Sequence, residues 1–166
     1  DTMTIQEQLD SAPTAMFRAI YRNDEALFAQ ELKNAYVDFH KRNTNGETAL
    51  MFAVKGGLKK AFLGIPDIGS YTDAAKLIIA TNADVNLQDK WGKTALMHAA
   101  GASYAMGDSY GSYTDMTQLL LEKGAKLETP DKEGHTALYW AQRYNRSATS
   151  QLLLSKGANP AQKYDR

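Results

Sequence analysis

Gly92-Lys93-Thr94-Ala95-Leu96-Met97-His98-Ala99 decides the reading of this chain, because the same phrase returns twice. It stands upstream as Gly46-Glu47-Thr48-Ala49-Leu50-Met51-Phe52-Ala53 and downstream as Gly134-His135-Thr136-Ala137-Leu138-Tyr139-Trp140-Ala141. A second phrase also recurs: Lys76-Leu77-Ile78-Ile79-Ala80-Thr81-Asn82-Ala83, Gln118-Leu119-Leu120-Leu121-Glu122-Lys123-Gly124-Ala125 and Gln151-Leu152-Leu153-Leu154-Ser155-Lys156-Gly157-Ala158. From Asn82 or Gly124 to the next Gly of the first phrase is ten residues both times. Two motifs and a spacing that recur together mark a repeat architecture, in which no unit buries its apolar face alone.

Each phrase has the chemistry of a helix. Thr48, Thr94 and Thr136 place a hydroxyl where it can cap a first helix. Leu50, Leu96 and Leu138 with Ala53, Ala99 and Ala141 make a narrow apolar stripe that lets helices approach closely. Ile78-Ile79, Leu120-Leu121 and Leu153-Leu154 give a second helix its buried face, each side chain contributing about 1.5–3 kcal/mol when fully buried. Gly124 and Gly157 follow as left-handed caps, with Asn82 as the next-best residue for that conformation.

These residues resemble the ankyrin repeat, whose pattern is Asp-x-x-Gly-x-Thr-Pro-Leu-His, then Ala-Ala, then Leu-Leu-x-x-Gly-Ala-Asp, over about 33 residues. The resemblance implies an all-α solenoid of stacked helix-turn-helix units with short hairpin fingers. It divides a single domain, residues 1–166, into copies at about 10–42, 43–88, 89–130 and 131–163. The last has the family length; the second and third carry 13 and 9 extra residues. Ala49, Ala95 and Ala137 stand where the family has Pro, and Met51, Met97 and Tyr139 where it has His, so the backbone bonds of that His are expected to be absent. Tyr36 stands in place of a Gly in the first copy, which reads as an N-terminal cap. Arg143, Asn145, Arg146 and Ser147 give the fourth copy the polar character of a C-terminal cap, which favours a monomer.

Both extra stretches fall between the paired helices, within about 56–72 and 101–114, and read as long loops. Each ends alike, Gly69-Ser70-Tyr71-Thr72-Asp73 and Gly111-Ser112-Tyr113-Thr114-Asp115, where Thr or Asp caps the second helix and Asp in its first turn suits the dipole. Phe62, Tyr71, Tyr104, Tyr110 and Tyr113 enrich them in large side chains. Two readings stand: the loops cover each other, or they form a partner-binding lobe.

The family binds proteins with its finger tips and the exposed face of its first helices. Carried onto this chain, those positions are Thr44, Asn45, Glu47 and Lys55; Lys90, Trp91, Lys93 and Ala102; and Lys132, Glu133, His135, Arg143 and Tyr144. Five are basic and two acidic, with His135 neutral, which implies an acidic partner surface. Trp91, on a finger tip with little repeat core to bury in, reads as a partner anchor.

Composition narrows the rest. Apolar residues at 43% and charged residues at 23% argue against disorder. Nineteen basic and nineteen acidic side chains cancel, which argues against nucleic acid as a partner. No apolar run approaches the roughly 18 residues that cross a bilayer. Without cysteine there is no disulfide, thiolate nucleophile or Cys-ligated zinc site. His40, His98 and His135 fall one to a repeat, with no paired spacing for a metal, and no cofactor is expected. Gly107-Asp108-Ser109-Tyr110-Gly111 spells a nucleophile elbow, but that motif needs a strand before it and a sheet around it. The chain therefore reads as a non-catalytic protein binder with one partner at 1:1, inhibiting or sequestering it as a bacterial immunity protein does a toxin or secreted lipase. The alternatives are an accessory or chaperone role and, from another class, a serine hydrolase using Ser109. Asp1 in place of Met leans toward a processed protein of the bacterial periplasm or envelope, with the cytoplasm as the alternative.

Overall fold

A computed structural model describes residues 15–22, 24–34, 38–62, 71–81, 83–101 and 112–160. Among them are eight helices: α1 (Ala15–Arg22), α2 (Glu25–Lys33), α3 (Ala49–Phe62), α4 (Tyr71–Ile79), α5 (Ala95–Ala100), α6 (Ser112–Glu122), α7 (Ala137–Arg143) and α8 (Ser147–Ser155). They pair in chain order, α1 with α2, α3 with α4, α5 with α6 and α7 with α8. The first helices stack in a row, α1 on α3, α3 on α5 and α5 on α7. No described residue is in a strand, and the chain forms an α-solenoid.

The alanine stripe sets the spacing of that row. Ala53, Ala99 and Ala141 are fully buried, as are Leu96 and Leu138 beside them. Ile78, Leu120 and Leu153, the middle residues of the second phrases, are also fully buried. Thr94 Oγ1 accepts the amide of Met97 at 3.3 Å and Thr48 Oγ1 that of Met51 at 3.4 Å, the expected caps. Thr136 sits at the same place but makes no capping bond. Gly124 and Gly157 turn with φ of +89° and +100°, as left-handed caps do. Asn82 lies outside the described residues, as does Tyr36.

Side chains at fixed repeat positions stitch the copies together. His40 Nε2, Asn86 Oδ1 and Glu128 Oε1 occupy one register, and each accepts an amide of the next copy: Asp84 at 3.1 Å, Lys126 at 2.8 Å and Asn159 at 2.8 Å. Before the fingers, Arg42 donates to the carbonyls of Gly46 and Gln88, and Gln88 donates to those of Gly92 and Pro130. Pro130 holds the same register with no donor to continue the series.

Three expectations are corrected. The first extra stretch does not begin as a loop at 56, because α3 continues to Phe62 through Gly56 and Gly57. Each Gly costs a helix only about 1 kcal/mol, and the Leu, Lys and Ala that follow are strong helix formers. Thr72 and Asp73 lie within α4, and Thr114 and Asp115 within α6, past the cap position; Thr114 Oγ1 meets Thr149 Oγ1 of α8 at 3.2 Å. Asp115 does fall in the first turn of α6. Arg146, one of the polar residues that mark the fourth copy as a cap, is completely buried where the chain enters α8 after Asn145 at φ +56°.

Candidate functional site

Three finger turns build one wall of the site, each closed by the same bond pair. The amides of Asn43, Asp89 and Asp131 donate to the carbonyls of Glu47, Lys93 and His135, and those of Gly46, Gly92 and Gly134 donate back to Asn43, Asp89 and Asp131. Inside each turn the carboxylate or amide oxygen of the first residue accepts two further backbone amides. For Asp89 these come from Trp91 and Lys93, for Asp131 from Glu133 and His135, all at 2.9 Å. Successive fingers are tied by Lys90 N to Asn45 O at 3.2 Å and Lys132 N to Trp91 O at 3.0 Å.

Each of the last two fingers is latched to its own first helix. His98 Nε2 bonds Asp89 Oδ2 and Trp140 Nε1 donates to Asp131 Oδ2, both at 2.9 Å. The partner for the finger Asp thus comes from the residue after Met97 or Tyr139, the positions where the family has His. Burial alone would raise the Asp89 carboxyl, but the bonds from His98 and the two backbone amides outweigh it and hold it below the ordinary range. Burial depresses His98, and the Lys55 charge adds to that against the opposing pull of Asp89, so the imidazole is neutral at pH 7.

Between these fingers and the first helices lies a cleft of about 330 Å³. It brings together six of the residues expected from sequence: Lys55, Trp91, Lys93, Lys132, Glu133 and Tyr144. Sequence reading missed four others that line it: His98, Gly101, Asp131 and Trp140. The i, i+9 pairing of Asp89 with His98 and Asp131 with Trp140 is visible in the aligned copies and was the signal available. Trp140 forms a fixed wall: Lys93 Nζ lies 4.1 Å from its ring centre and Tyr144 stacks at 6.0 Å. Trp91 is 46% exposed, which leaves it open to a partner, and Lys90 Nζ lies 4.4 Å from its ring.

Two expected surface residues are buried instead. Glu47 is 3% exposed, accepting from Asn43 Nδ2 and paired with Lys55. Asn43, where the other fingers have Asp, supplies the donor that draws this carboxylate inward. His135 is 5% exposed because its ring stacks on Tyr139, four residues on, at 3.6 Å and 4°. Thr44, Asn45, Lys90 and Arg143 do not line the cleft, although Thr44, Lys90 and Arg143 are exposed. Ala102, Tyr104, Tyr110 and the Gly107–Gly111 motif with Ser109 lie outside the described residues, as do the side chains of Phe62, Tyr71 and Tyr113. Among the described residues no group of acidic or His side chains is placed to hold a metal, and no helix is long and apolar enough to cross a membrane.

Stacked helix pairs with finger turns over a cleft define a repeat scaffold protein. The chain belongs to the ankyrin-repeat family: a family model of three ankyrin repeats matches residues 67–164. An ankyrin repeat domain from Acinetobacter baumannii, known as a crystal structure, is similar in fold, with a TM-score of 0.71, 22% identity, and coverage of 95% of this chain and 71% of that one. No curated protein matches the sequence. Ankyrin repeats generally mediate protein–protein interaction, and their fold is a non-catalytic interaction scaffold.

Proposed function

We propose that this chain binds one specific protein through the cleft between its fingers and first helices, as a monomer and at 1:1, and that binding inhibits or sequesters the partner. One observation carries the reading: the cleft gathers Trp91, Trp140 and Tyr144 with three lysines on a preorganised wall. Exposed aromatics beside a rigid concave surface are the features that dominate binding energy at protein interfaces. The 13 and 9 extra residues of the middle copies favour a dedicated partner over a generic one.

Site-specific photocrosslinking in the source cell tests it. A photoreactive side chain at position 91 is expected to give one discrete adduct, and the same group at Leu77, exposed on α4, to give none. Equal labelling at both positions overturns the cleft as the binding face. Adding the chain to an assay of the captured protein then separates an inhibitor, which lowers its activity, from an accessory factor, which raises it.

A further inference from the structure

The charges lining the cleft are unevenly used. Of its two acidic lining residues Asp131 is committed internally and Glu133 is exposed, and the carboxylates just behind the lining are committed as well. Asp131 accepts two backbone amides and the Trp140 indole; Asp89, behind His98, is filled in the same way; Glu47 is buried against Lys55 and Asn43. A carboxylate whose lone pairs are filled by N–H donors keeps its charge but has little acceptor capacity left for a partner's donors. Of the lining lysines Lys55 is paired with Glu47, whereas Lys93 and Lys132, with Lys90 beside the cleft, are not so committed. Among the described residues, none of Lys90, Lys93 and Lys132 has a carboxylate within ion-pair reach. Lys90 and Lys93 rest their ammonium groups over indole rings at 4.4 and 4.1 Å, which holds them in place while leaving N–H donors for an incoming anion.

We infer that the cleft takes an acidic stretch of the partner protein in which a carboxylate side chain stands beside a large apolar one. This rests on the cleft being the protein-binding face. The carboxylate meets Lys93 and Lys132, and the apolar side chain covers the exposed Trp91 indole. A nucleic acid fits the same rings less well, because the whole chain carries no net positive charge to hold a polyphosphate.

Selection of random displayed peptides on the full chain, followed by calorimetry of the enriched sequences, tests the assignment. The variants are Lys93→Gln with Lys132→Gln, which removes the charge and keeps a polar side chain, and Trp91→Ala; thermal melts verify that both stay folded. Enriched peptides are expected to carry Asp or Glu next to an aromatic or large aliphatic residue. Each variant is expected to weaken them by about tenfold or more, and added salt to weaken wild-type binding. Peptides that need Trp91 but ignore the loss of both lysine charges overturn the acidic partner and leave the cleft as the binding face. Peptides indifferent to every substitution, or no enrichment over a blank surface, overturn both. An oligothymidylate that binds as tightly as the best peptide overturns the choice of protein over nucleic acid.

Discussion

Gly92 and Gly134 hold the same turn in consecutive fingers, at φ +79° and +84°, but in different surroundings. A Cβ on Gly92 would stand 2.7 Å from the backbone N of Lys132 in the next finger, whereas one on Gly134 would meet nothing within 4 Å. Gly134→Ala is therefore expected to cost only the left-handed backbone penalty, about 1–2 kcal/mol. Gly92→Ala is expected to cost at least about 1 kcal/mol more, because the obstacle is backbone that cannot rotate away. Urea denaturation of the two variants decides it, and equal losses would mean that the fingers do not stack as described. His98 supplies a second residue-scale prediction. Burial holds its folded pKa below the ordinary value near 6.5, so on acidification the unfolded chain takes up the proton first. Stability is thus present above about pH 6.5 and falls as pH drops below it, by at most about 1.4 kcal/mol per pH unit from this group. Asp89, depressed below its ordinary 3.8, adds a further loss only below that pH. His98→Gln, which keeps a donor for Asp89, is expected to flatten the fall between pH 7 and 5; an unchanged pH profile would place its origin elsewhere. At this scale the sequence was informative about charge and aromatic type but not about direction. Glu47 and His135 stood at surface positions of the repeat, yet Asn43 and Tyr139 offered them inward partners. Those partners are specific to single copies, so a shared pattern could not reveal them.

The helices show why period and spacing read well while boundaries did not. The first and second phrases mark the start of α5 and the buried face of α6 because Thr94, Leu96 and Leu120 act within one or two turns of themselves. Where α3 ends is different: the run past Gly56 is set by the summed helix propensity of residues without a repeat counterpart, and it doubles the seven residues of α7. The approach of α5 to α7 turns on Gly101, just after α5. A Cβ there would lie 2.2 Å from Trp140 Cβ and within 3 Å of its carbonyl carbon. Gly101→Ala must push α7 and its indole outward, so it is expected to destabilise the fold by about 1–3 kcal/mol, as overpacking does. It also moves the wall of the cleft. A shifted tryptophan emission spectrum and a lowered denaturation midpoint are the expected signs, and an unchanged spectrum would mean that the contact relaxes without moving Trp140.

Among the described residues, each first helix packs on its own second helix and on the first helices beside it in the row, so cooperativity depends on every interface being sound. The stitching registers state the same logic in hydrogen bonds: Arg42 reaches the second finger, Gln88 the third, and the series stops at Pro130. That the chain stacks was legible from two recurring phrases; that the stack is also laced by His40, Asn86 and Glu128 was not, because three unlike side chains perform one acceptor role. The interface to probe is the middle one. Ala99 is fully buried on α5, which packs against α3 on one side and α7 on the other. Both tryptophans, Trp91 and Trp140, belong to the half of the chain beyond that interface with α3. In the wild type, helix content and tryptophan emission are expected to change together along a denaturant series, as in a two-state transition. Ala99→Leu adds volume where the stripe allows none, forcing α5 away from the helices packed on it and weakening the coupling between halves. In that variant helix signal is expected to fall first, as the tryptophan-free half melts, and the emission change to follow at higher urea. Coincident curves in Ala99→Leu, shifted together, would mean that the copies act as one rigid block and not as coupled neighbours.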